Sequence, residues 1–334
     1  MRYLLAAVLV CSAFAQSGYH LLKKWPVGGE GGWDYLIADP DNHRLFVSHA
    51  TEVDVVDTIN GQVTNKITGL KGVHGIALAR DFNRGFITNG QAGTVTVFDL
   101  KTLAKVGEDI PVGKNPDAIL YDTATRQAFV FNGASKSLTV IDASLMAVVG
   151  NSDLDGRPEF AAGNGELAIF VNLEDKNTAL RLDARKMLME QRWPLAPCEA
   201  PSGMAIDLAH RRLFIGCANK MMAVVNTDGG RVVATAPICS GVDATAFDPG
   251  TSLVFNSCGD GTTTIIHQDS PDRYSVIDTL QTQAGARTMA LNPATHEIYL
   301  PVAEFTEAPA PAADQPRPRR TIVPGTFQIL VFGK

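Results

Sequence analysis

Asp34, His74, Asp117, Ser202, Asp243 and Arg287 occupy matching places along the 334-residue chain, each two residues before the start of a short apolar run. The matching place in a seventh copy holds Pro158, with Glu159 beside it. Brought together, these residues would support several chemistries. Carboxylates with a serine or water oxygen suit a hard cation such as Ca²⁺ or another divalent ion, which makes Asp34, Asp117, Glu159 and Asp243 the metal candidates. Crowded carboxylates raise one another's pKa and leave one able to act as a general base, with His74 as an acid or base. Arg287 suits a carboxylate or phosphate on a ligand. The competing reading is structural: short polar side chains where loops lead into strands often bond the loops and line a wet channel.

A repeat is what would bring them together. Each apolar run leads, ten positions on, to an aromatic residue: Phe46, Phe86, Phe129, Phe170, Phe214, Phe255 and Tyr299, spaced 40 to 44 residues apart. A period near 40 made of short strands predicts a β-propeller with one four-stranded blade per repeat, all-β and seven-bladed. In the second copy the expected strands are 76–79, 85–88, 94–99 and 105–112, with Gly, Asn and Asp in the connections. The third strand ends on Asp57, Asp99, Asp142, Asp183, Asn226 or His267 in six copies, residues suited to accepting the N–H groups of the next turn. The segment YHLLKKWPV (19–27) has the look of an outer strand with no repeat before it, while the last copy lacks an outer strand. It is expected to complete that blade and close the ring. His49, at the end of a second strand, falls on the face of Asp34 and His74 and joins the ligand-binding candidates.

The remaining features bear on compartment and partners. Arg2, the apolar run to Val10 and Ala13-Phe14-Ala15 read as a signal peptide cut after Ala15, leaving 16–334 as a single propeller domain, periplasmic or secreted. No later stretch is long and apolar enough for a membrane helix. Cys198 and Cys239 lie six residues before their strand anchors, and Cys217 and Cys258 three after their aromatics. Neighbouring strand ends would place them as Cys198–Cys217 and Cys239–Cys258 disulfides, which an oxidising compartment permits. A four-thiolate zinc site and free thiols are the other readings, the former without its usual C-x₂₋₄-C spacing. No C-x-x-C-H occurs, so covalent haem is not expected. A Pro- and Ala-rich insertion at about 304–326, carrying Arg317, Arg319 and Arg320, should emerge beside the channel mouth. With a formal net charge of −6 and no basic block, nucleic acid is not an expected partner. The near-match to an EF-hand loop at 151–156 has Ala162 where its twelfth-position glutamate is needed, the near-match to a phosphate loop at 107–114 fails on spacing, and no G-x-S-x-G is present.

The stretches DPDNHRLFVSHATEVDVVDTINGQVTNKI and FNRGFITNGQAGTVTVFDLKT resemble the YVTN/YncE-type seven-bladed propellers, with FVSH, FITN and FVFN in place of a strict YVTN. The resemblance implies the fold and export but no particular reaction, since fold alone does not transfer function. The function expected is a ligand- or protein-binding module working through the polar channel face, as a monomer, for a small molecule, glycan or envelope protein. A metal-assisted hydrolase of the lactonase type and a partner subunit of an exported redox enzyme are the alternatives.

Overall fold

The computed structural model describes residues 17–307 and 321–334; the leader through Ala15 and the arginines at 317, 319 and 320 lie outside the described residues. Seven four-stranded antiparallel sheets follow one another along the chain. In each, the strand nearest the axis comes first and the others step outward, except in blade seven. There His20–Pro26 pairs antiparallel with Gln328–Gly333 as the outermost strand, so the first described strand finishes the last blade. Trp25 stacks on Tyr299 at 5.5 Å across this closure. No described helix is long and apolar enough to cross a membrane.

The aromatic column is the packing between blades. None of the seven rings is more than 1% exposed, and burying one contributes about 1.5–3 kcal/mol. Opposite each ring, on the third strand, stands an aliphatic residue in six blades: Val55, Val97, Val140, Val224, Ile265 and Val331. Blade four places Arg181 opposite Phe170 instead. The polar residues ending the third strand cap turns as their types require: Asp99 Oδ1 accepts from the N–H groups of Lys101 at 2.9 Å and Thr102 at 2.7 Å. His267 is the exception and pairs with Asp269.

One expectation needs revision. The outer strand of blade two is Ile110–Pro111 rather than 105–112, with a lone bridge between Phe98 and Lys105. Gly107, at φ +70°, breaks the extended run between them. The cysteines form the disulfides Cys198–Cys217 and Cys239–Cys258, with Cα–Cα distances of 5.5 and 5.9 Å. Each sulfur is bonded to its neighbour, which leaves none of the four as a thiolate for zinc.

The inner strands carry the feature that positions the site. In six blades the pairing of inner and second strands slips just where the polar column lies, as between Trp33 and Leu36, Val73 and Ile76, and Pro116 and Ile119. Such a bulge bends the strand and re-aims its side chains. The freed carbonyls are taken by the neighbouring blade. Thr88 Oγ1 donates to Asp117 O at 2.8 Å, Asn172 Nδ2 to Ser202 O at 2.7 Å, and Thr288 Oγ1 to Asp34 O at 2.8 Å. Ser48 and Ser257 do the same for His74 and Arg287. Gly75 allows this close approach, since a Cβ there would lie 2.6 Å from Asp117 O. The backbone of the column therefore stitches the blades, while its side chains remain free to face the axis.

Candidate functional site

Those side chains meet. Asp34, His74, Asp117, Glu159, Asp243 and Arg287 line one cavity of about 230 Å³ at the end of the channel. His74 Nδ1 is hydrogen-bonded to Asp34 and lies 3.7 Å from Asp117. Ligand atoms of Asp34, His74 and Asp117 all fall within 4.8 Å of one another. Glu159 and Asp243 line the same cavity outside this tight group. Asp243 is engaged by Arg287 Nε at 3.1 Å and accepts from Ser202 Oγ at 3.2 Å. Ser202 supports Asp243 rather than lining the cavity itself.

Four residues not singled out from the sequence belong to the wall: Tyr35, Asn115, Gly133 and Arg157. Tyr35 stood in the column next to the polar one. Asn115 and Arg157 precede it in the blade connections, where no column comparison reaches. Arg157 also pairs with Glu174, outside the ring, yet its field still lowers both Asp117 and Glu159, so it offsets part of the charge within.

Tyr35 also forms the floor. Its ring meets Phe160, from blade four, edge-on at 5.3 Å. Both rings line a second cavity of about 290 Å³ below, walled by Leu36, Ile76, Ile119 and Leu291. The channel is therefore polar at the mouth and apolar beneath, with the aromatic pair between.

The electrostatics follow from crowding. Burial, then the field of Asp34, pushes Asp117 up to about 6 although His74 pulls the other way. Burial, then Asp117 and Asp243, pushes Glu159 up to about 7. Asp243 is raised by burial, with Arg287 opposing. Burial works against charge on His74, yet the hydrogen bond to Asp34 and the surrounding carboxylates raise it overall. Burial, and then four carboxylates, lifts Tyr35 well above the ordinary phenol range, which keeps its hydroxyl neutral.

His49 does not join this group. Its Nδ1 lies 2.9 Å from Asp54 within blade one, and Lys66 completes the row at 3.0 Å from Asp54. The matching rungs of blades two and three are Asn89–Thr96–Asp109 and Asn132–Thr139–Asn151. Position along the strand is shared with the mouth face; direction is not. The insertion does reach that face at its described base, where Phe305 packs on Trp33 at 5.9 Å, one residue before Asp34.

No family model matches the chain. Over 93 residues it is 38% identical to "Uncharacterized protein YncE" of Salmonella typhimurium and, equally, to that of Salmonella typhi. The partial likeness is to YncE. The match takes in 27% of this chain and 26% of each relative, so the chain spans about a quarter of the length of the curated relatives it matches. Among solved structures, a chain of Kuenenia stuttgartiensis Hydrazine Synthase superposes with a TM-score of 0.69 at 17% identity, over 85% of this chain and 95% of that one. At that identity the likeness is one of propeller fold alone.

Proposed function

We propose that this protein is an exported binding module whose channel-mouth pocket holds a compact ligand bearing positive charge, a divalent cation being the simplest case. The observation that carries the reading is a charge imbalance in a closed space. Arg287 pairs with Asp243 and Arg157 is shared with Glu174, so the four carboxylates Asp34, Asp117, Glu159 and Asp243 outnumber the cationic groups that the cavity keeps to itself, Arg287 and His74. A cation entering there relieves carboxylate repulsion and releases the protons held on Glu159 and Asp117. Export rests on the A-x-A leader together with two disulfides, which persist in oxidising compartments.

The test is calorimetric titration of the mature protein with CaCl₂ and MnCl₂ at pH 8, beside Asp117→Asn. Saturable binding, weakened about tenfold or more by the loss of one charged ligand, is expected. Absence of binding by both ions at millimolar concentration would sink the cation reading. The hydrolase alternative is favoured by one observation, the orientation of His74 by Asp34, which is how a general base is positioned. Turnover of simple lactones that disappears in His74→Ala would move the assignment to it.

A further inference from the structure

On the face opposite the mouth, arginines act as staples. Arg44, Arg84 and Arg212 each open the second strand of their blade and reach the turn after the third strand of the next. Arg44 donates to Leu100 O, Arg84 to Ala143 O and to Ser144 O at 2.7 Å, and Arg212 to Pro271 O at 3.0 Å and Asp272 at 2.8 Å. Blades three, six and seven fill the same position with Gln127, Leu253 and Glu297. Blade four has Ala168. No side chain crosses from there to the corresponding turn of blade five, Thr227–Asp228. The space stays open as a cavity of about 470 Å³ lined by both ends of the missing staple.

Two guanidinium groups face this cavity. Arg181 is the residue that stands where the other six blades place an aliphatic side chain against the aromatic ring. It is poorly used by the protein: its Nε is buried with no hydrogen-bond partner among the described residues, and its nearest carboxylate, Glu190, is 3.6 Å away. The side chain is 34% exposed, so an acceptor entering the cavity would meet the outer edge of the guanidinium rather than the buried Nε. Arg211 enters from the turn of blade five, 3.2 Å from Asp228. Asn164 adds an amide, and Glu166 a carboxylate at the rim.

We propose that the cavity between blades four and five is a second binding site, for a small ligand carrying one oxyanion, a carboxylate or phosphate, held by Arg181 and Arg211. Oxyanions match the fork geometry of arginine. Glu166 and Asp228 restrict the rest of the ligand to neutral or cationic groups, which excludes polyanions. The site lies on the other face from the mouth and stands independently of the function proposed for it.

The experiment titrates wild-type protein with inorganic phosphate and with acetate, by calorimetry and by melting temperature. Two variants separate binding from folding. Arg181→Leu restores the aliphatic residue of the other blades, and Ala168→Arg restores the staple and fills the space; both are expected to fold and to melt no lower than wild type. Saturable binding of phosphate or acetate, about tenfold or more weaker in both variants and unchanged in Asp117→Asn, is the expected result. The ion that binds tells phosphate from carboxylate. Binding that survives Arg181→Leu, or no saturable binding of either ion to wild type, overturns the proposal.

Discussion

Glu159 illustrates what a single residue can report. Its carboxyl titrates at about 7 in the fold against 4.5 when exposed, first because it is buried and then because Asp117 and Asp243 are near. A raised folded pKa means that the folded state holds a proton the unfolded chain has given up. The stabilisation is therefore complete below pH 4.5 and is lost as pH rises through 7. Without added cation, melting temperature should fall between about pH 5 and pH 8, with on the order of 2 kcal/mol at stake. Glu159→Gln should flatten that slope, and a slope unchanged in Glu159→Gln would assign it elsewhere. The residue types of this site were legible in the sequence, because one column compared across seven copies exposes them. Its membership was only partly legible. Tyr35, Asn115 and Arg157 lie off the column, and whether a side chain turns to the axis depends on a slip in strand pairing that no spacing records.

At the scale of the strand, His49 shows the same limit from the other side. Its place at a strand end was readable, but its partners Asp54 and Lys66 lie on strands whose register only the fold sets. The row His49–Asp54–Lys66 tethers the blade as Asn89–Thr96–Asp109 tethers the next, and in blades five and six a disulfide holds the same strand end. His49→Ala leaves Asp54 buried without its imidazole and should cost roughly 1–3 kcal/mol in denaturant unfolding. Cation affinity at the mouth should be untouched. A loss of affinity without a loss of stability would return His49 to the binding site. The cysteine pairs were legible because both members obey the repeat, whereas the short outer strand of blade two was not, since the Gly107 break sits inside an otherwise strand-like run.

For the molecule as a whole, the seven-fold period dictated the architecture, and the orphan strand at 19–27 announced its own partner. Removing residues through Pro26 would strip the cover from Gln328–Gly333 and take Trp25 away from Tyr299. An open, apolar sheet edge recruits other chains. The truncated protein should elute as dimers or aggregates by size exclusion with light scattering, and a synthetic 17–27 peptide should restore monomers. A monomer with wild-type melting temperature would show that closure is dispensable.

That closure also orders events in time. Strand His20–Pro26 is made before blades one to six, and the strand it pairs with is made after them. Blades one to six can each find their hairpin partners as they are synthesised, but the seventh waits on an encounter with a strand made before blade one. Contacts of such long sequence separation form slowly. Until they do, the nascent protein carries one unsatisfied edge strand and one unclaimed partner, the state in which chains most readily exchange segments with one another. The joint that makes the finished ring seamless is thus the step at which its assembly is most exposed to its neighbours.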